Sequence, residues 1–232
     1  MTTSSTTSQT APAQLDLLGM QVAHRGMLAD SDRFATLVLA IGAGEPCSRR
    51  RASAIGAYLR DFADSIHHHH TVEDDVLWPL IVEAVGDAVD LSELTDDHDS
   101  LDPLLDRLRA LTAHFVASHR TGDPDPATAV ALGTLLRDLH ALLDEHIAEE
   151  ERVVFPIIRA HLTPEAWASV EETARRSGKL GFEFPRFLVH TTPEEIDRAL
   201  AGGGIGLRLM LSVVKATAGR AFARREAVIA GA

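Results

Sequence analysis

Apolar residues recur every three or four positions through four stretches of this chain, the spacing of helices with one buried face. The first stripe reads Leu17, Met20, His24, Met27, Ser31, Phe34, Val38, Ile41. The second reads Ile55, Leu59, Phe62, Ile66, His69, Glu73, Val76, Leu80. The third reads Leu94, His98, Leu101, Leu105, Leu108, Phe115, and the fourth Leu132, Leu135, Leu139, Leu142, His146, Glu150, Val153, Ile157. Breakers rich in Gly, Pro and Asp separate them at residues 42–48, 86–92 and 121–127. Pro103 falls inside the third stripe, where it predicts a kink or a delayed helix start. The pattern predicts an all-α fold, an antiparallel four-helix bundle of two pseudo-repeated helical hairpins.

Each stripe is interrupted by histidine, and two are also interrupted by glutamate. "HHTVEDDVLWPLI" (from His69) aligns with "HIAEEERVVFPII" (from His146) at an offset of 77 residues. His69 then matches His146, Glu73 matches Glu150, Asp74 faces Glu151 and Pro79 matches Pro156. His24 and His98 lie 74 residues apart, close to the same offset. The i, i+4 spacing stacks His and Glu on one helix face, about 6 Å apart. Counting residues out and back through each hairpin brings His24, His69, Glu73, His98, His146 and Glu150 to one level. Each proline bends its helix beyond the Glu or ends its regular part.

Four histidines run consecutively from His67 to His70, and both repeat and register select only His69. His67, His68 and His70 face Asp144, Glu145 and Ile147 in the repeat, so they are expected on a solvated or outer face. His114, His119, His161 and His190 have no register partner and are expected at the surface. His140, six residues before His146, is rotated off that face.

Two ionised carboxylates in a helical core cost several kcal/mol each if unpaired, and they repel one another. No Lys or Arg shares these stripes. Four imidazoles and two carboxylates suit a pair of divalent or trivalent metal ions, with the carboxylates able to bridge. Ligand type alone allows Fe, Zn, Cu or Ni.

Composition narrows the setting. Leu, Ala, Arg, Asp and Glu dominate the 232 residues, which favours helix. The net charge of −12 opposes binding to nucleic acid. A single cysteine, Cys47, permits no internal disulfide and suits a reducing cytoplasm. Residues 1–13 lack a basic and an apolar signal region and are expected to be a disordered tail. No apolar run is long enough to span a bilayer, so no stable membrane insertion is expected.

His24, His69-x-x-x-Glu73, His98 and His146-x-x-x-Glu150 resemble the hemerythrin-like, or HHE cation-binding, domain over residues 14–162. The resemblance implies a four-helix bundle with a non-haem di-iron centre, two Fe ions bridged by an oxo or hydroxo group. Two departures from the oxygen carriers stand out. Their fifth histidine, four residues beyond the one on the third helix, is replaced here by Asp102, an additional candidate ligand or an acceptor that orients an imidazole. Their last carboxylate sits five residues after its histidine, whereas Glu150 sits four after, with Glu151 at five. Fewer histidines and more oxygen ligands favour ferric iron, and with it redox chemistry or sensing over stable carriage. The expected partner is a small diatomic ligand or peroxide. Binding or sensing of O2, NO or iron is the first functional reading. Turnover of peroxide or nitric oxide, and a metal-stabilised structural module, are the alternatives.

Residues 163–232 form a helical extension. Thr163-Pro164-Glu165 and Thr192-Pro193-Glu194 each announce a helix start, and Gly178 a stop. Residues 205–232 predict a last helix with Leu207, Met210, Leu211 and Val214 on one side and Arg208, Ser212 and Lys215 on another. It could lie on an anionic membrane, join two chains into a homodimer or dock on the acidic bundle; docking is the expected outcome.

Overall fold

The helices start where side chains can satisfy their first amides. Ser48 accepts the Arg51 amide at the start of α2 (Arg49–Val72). Asp125 accepts from Ala127 and Thr128 as Pro126 opens α5 (Pro126–His161). Asp16 and Asp90 accept the first amides of α1 (Leu18–Gly42) and α4 (Ser92–Thr121). Gly122, at φ 84°, ends α4 in the left-handed conformation that glycine tolerates. A short α3 (Trp78–Val85) continues α2 beyond a π turn. The computed structural model describes residues 15–201 and 215–231, and among them every regular element is helical. The expected tail, residues 1–13, lies outside them, as does the apolar face Leu207, Met210, Leu211 and Val214.

Helix α1 runs along α5, α2 along α4, and α4 along α5. Phe34, Leu59, Leu108 and Leu136, one from each of these helices, are fully buried in the main apolar cluster. A second cluster gathers Leu17, Trp78, Leu94 and Phe155. Burial of such a side chain is worth about 1.5–3 kcal/mol. Between the two clusters each helix contributes polar residues: His24 from α1, His69, His70 and Glu73 from α2 and its π turn, His98 from α4, and His146 and Glu150 from α5. These candidate ligands thus form one polar layer between the two apolar clusters.

The stripes hold in α1 and α4 but drift in α2 and α5. In α5 the predicted Leu142, Val153 and Ile157 give way to buried Leu143, Val154 and Ile158, and Leu142 is exposed. Beyond Glu73, Leu77 and Ile81 are buried where Val76 and Leu80 were expected. In α2 the extra residue of the π turn at Glu73–Leu77 moves the buried face on by one; in α5, at 3.6 residues per turn, Leu143 lies nearer the Leu132 face than Leu142 does. Pro103 neither ends nor delays α4. Its neighbours Leu101, Leu105 and Leu108 are buried, and three such burials outweigh the roughly 3 kcal/mol that an internal proline costs.

Three described helices of the extension pack on α1 and α2. Thr163 caps α6 (Pro164–Ser177), and Thr192 and Glu195 cap each other's amides before α8 (Pro193–Ala201). Helix α7 (Leu180–His190), for which the sequence offers no cap and an internal Pro185, packs on α1. Helix α9 (Arg220–Ile229) packs on α2 and places Phe222 and Ile229 in the main cluster. Arg186 of α7 donates to Asp30 of α1 at 2.6 Å, and Tyr58 donates to the same carboxylate at 2.8 Å. His190 stands 3.7 Å from it and is half-buried, not on the surface as expected. His119 is also buried and bonds the Phe115 carbonyl at 2.8 Å, because it continues the Phe115 stripe by one turn. No helix among the described residues is long and apolar enough to cross a membrane.

Candidate metal centre

The six residues selected by repeat and register meet, and His70 joins them. One group comprises His24, His69, Glu73 and Glu150; the other comprises His70, Glu73, His98 and His146. Within each, one ligand atom per residue lies within 4.8 Å of the others. Glu73 belongs to both, so its two oxygens can face two ions at once.

Outer acids orient the imidazoles. Glu151 takes Nδ1 of His24 at 2.9 Å, Asp74 takes Nδ1 of His98 at 2.9 Å and Asp97 takes Nδ1 of His146 at 3.2 Å. A carboxylate at Nδ1 fixes the Nδ1–H tautomer and turns the Nε2 lone pair inward. Nε2 of His98 and Nε2 of His146 then face each other at 3.2 Å, and those of His24 and His69 at 3.1 Å. Two facing lone pairs repel unless a proton or a cation lies between them. Asp74 and Glu151, matched in the repeat, perform the same task on opposite sides.

Helix α2 differs from α5 at this level. After Glu73 the backbone forms a π turn, Glu73–Leu77, in which the Trp78 amide bonds the Glu73 carbonyl. Pro79 follows, whereas Pro156 sits inside an uninterrupted α5. Single π turns often mark functional positions in helices. His70 is buried, stacked 4.1 Å from the His98 ring, and its Nδ1 has no hydrogen-bond partner. The expectation of an outer face therefore fails at His70, and the repeat held the signal: its counterpart Ile147 is a buried core residue. The expectation holds at His67, 53% exposed and bonded to Asp102. His68 bonds the Ala174 carbonyl. Asp102, 55% exposed, belongs to neither group; it lies on the outer side of α4, one turn after His98.

The electrostatics call for positive charge. Both oxygens of Glu73 and both of Glu150 are buried without a hydrogen-bond partner. His69 and His24 approach them at 2.8 and 3.2 Å, but not in hydrogen-bonding geometry. Burial, reinforced by Glu150, pushes Glu73 well above the usual carboxylate range. Burial raises Glu150 too, but the neighbouring His24 overrides it and holds Glu150 down. Burial pushes His24 down, and the charge of Glu150 overrides it, lifting it to about 10. Burial, then the neighbouring imidazoles, hold His69, His70 and His146 neutral, with His69 at about 3. Neutral imidazoles with inward lone pairs and orphaned carboxylates form a donor set that fits cations; without one, the proton on His24 stands in for the missing charge.

Helices throughout the described residues and a carboxylate shared between two nitrogen-and-oxygen ligand groups give the donor set of a cation-binding class of protein. The family model described as the hemerythrin HHE cation binding domain matches residues 20–158, and the chain belongs to that family. A search of curated proteins and a search of solved structures each found no match. The match ends within α5, so α6 to α9 lie beyond it.

Proposed function

We propose that the chain is a non-haem di-iron protein of the cytoplasm that binds or senses a small diatomic ligand, O2 or NO, or iron itself. We read α1, α2, α4 and α5 as the antiparallel four-helix bundle that holds the centre. The observation that carries the reading is the pair of ligand groups joined at Glu73, with four carboxylate oxygens buried and unsatisfied. His24 and His69 would hold one iron, His70, His98 and His146 the other, with Glu73 between them and Glu150 on the two-histidine side. Iron bound there supplies redox chemistry and a position for a small ligand. The side chains do the rest: Asp74, Asp97 and Glu151 hold each imidazole tautomer, and the clusters around Phe34 and Phe155 exclude water. Five imidazoles converge, where repeat and register selected four. The choice of iron rests on the family.

Iron content and the optical spectrum of protein isolated from cells test this reading. About two irons per chain, together with a spectrum that responds to NO or O2, are the expected result. A different metal, or iron that neither exchanges nor responds to either gas, contradicts it.

A further inference from the structure

Helices α4 and α5, which carry His98 and His146, run along each other; α1 and α2, which carry His24 and His69, do not. Yet Nε2 of His24 and Nε2 of His69 stand 3.1 Å apart. Direct packing of the two helices therefore does not set that spacing. Phe34 of α1 and Tyr58 of α2 meet at 4.7 Å between ring centroids, but Tyr58 lies about 16 Å along its helix from His69.

Arg186 of α7 lies between the same two helices, nearer the layer, and is 3% exposed. On the α1 side its Nε donates to Asp30 at 2.6 Å, and its Nη2 packs against Gly26, where an added methyl carbon would stand 3.0 Å from it. On the α2 side its Nη1 reaches the Ser65 hydroxyl at 3.5 Å, and its guanidinium carbon stands 5.4 Å from the centre of the Phe62 ring. Gly26 follows His24 by about 3 Å along α1, and Ser65 precedes His69 by about 6 Å along α2. Both lie on one side of the layer, since His24 faces His69 while Asp30 meets Tyr58. The guanidinium is thus a spacer about one turn from the facing imidazoles.

Gly26 marks the contact as built. Glycine inside a helix is less stable than alanine, and here a side chain would strike Nη2 and the guanidinium carbon, at 3.0 and 3.1 Å. Nη2 has no hydrogen-bond partner, so Gly26 gives it room and nothing to bind. Arg186 lies beyond the matched 20–158 region, whereas the imidazoles it spaces lie within it.

We infer that Arg186 is a positioning residue for the centre: it spaces α1 from α2 and so sets how closely His24 and His69 approach a shared ion. This rests on the metal reading above. The group of His70, His98 and His146 sits on α2, α4 and α5, where α2 runs along α4 and α4 along α5, and does not depend on it.

Ferrous iron, titrated without oxygen into the metal-free protein against a competing chelator, reads the two groups as two binding steps. The step that survives in His70→Ala belongs to His24 and His69. Gly26→Val places a branched side chain where the guanidinium stands. Arg186→Lys keeps a charge for Asp30 but loses the reach to Ser65. In each, the His24–His69 step should weaken about tenfold while the other stays at the parent value. Combined, they should weaken it no further than either alone, since both remove one spacer. Either variant suffices, so the test survives if one does not fold. Leu132→Ala, a cavity in the main cluster, should lower the melting temperature and move neither step. Both steps unchanged in Gly26→Val and Arg186→Lys contradict the positioning role. So does an equal loss in both steps, which a general loosening would give. A parent protein that takes up no iron contradicts the metal reading, and this role with it.

Discussion

Two buried acidic sites lie within a few turns of each other, and the fold treats them in opposite ways. Asp30 is enclosed by Arg186, Tyr58 and His190; its Oδ2 accepts hydrogen bonds at 2.6 and 2.8 Å, and its Oδ1 accepts from Arg33 at 3.1 Å. Burial pushes Asp30 up, but His190 and Arg186 hold it well below the usual carboxylate range. Glu73 and Glu150 have comparable burial and no hydrogen bonds to their oxygens. The first site is complete within the chain. The second is complete only when positive charge arrives from outside. A chain that can pair a buried Asp with an Arg could pair a buried Glu likewise. Leaving two of them bare beside five imidazoles marks that layer as a place for ions.

Removing the shared ligand should break this contrast most severely. Glu73→Ala should lose metal from both groups, whereas Asp30→Ala should keep its metal, as read by elemental analysis of the purified proteins. Equal losses would erase the distinction. His70→Ala should come next, emptying the His98–His146 group and leaving about half the metal, since the other group does not use His70.

Stability should sort the two sites in the reverse order. Asp30→Ala takes from buried Arg186 its close partner and leaves only Glu183 at 3.8 Å, and should cost roughly 3–5 kcal/mol in denaturant unfolding. Because the native-state value of Asp30 is depressed, its contribution is fully present above about pH 4, the unfolded value. It is lost as pH falls through the native value. The parent should therefore weaken in acid more steeply than the variant. A flat difference between them from pH 7 to pH 3 would contradict the pairing. In metal-free protein Glu73→Leu should be neutral or stabilising, by up to about 2 kcal/mol, since it removes a carboxylate with no partner. A clear loss of stability in that variant would mean that Glu73 is satisfied in a way the geometry does not show.

The outer acids should give the smallest effect. Asp97→Asn and Glu151→Gln should weaken metal affinity about tenfold, because the imidazole tautomer is less firmly held. His67→Ala, at an exposed position, should leave affinity nearly unchanged.

Much of this layer could be read from the chain. Period and repeat together selected His24, His69, Glu73, His98, His146 and Glu150, because a polar residue inside an apolar stripe needs a reason that an exposed one does not. His70 escaped because the stripe was stepped in strict threes and fours, which assigns one residue per turn to the core. In the helix, His69 and His70 both face inward, each toward a different ligand group. Comparison with Ile147 carried that information, since an apolar residue in one half implies a buried position in the other. Asp102, singled out because it stands where the oxygen carriers have a further histidine, has an exposed carboxylate that pairs with His67. The Asp30–Arg186 pair joins residues 156 apart, and no local pattern in either segment announces it. The π turn after Glu73 was equally silent, because Pro79 and Pro156 look alike in sequence and only one follows such a turn.

The most direct test is a crystal of the metal-loaded protein measured at the absorption edge of iron. The account predicts two anomalous peaks in the polar layer, with Glu73 between them and His70 bound beside His98 and His146. A single peak, or two peaks with His70 turned away from both, would contradict it.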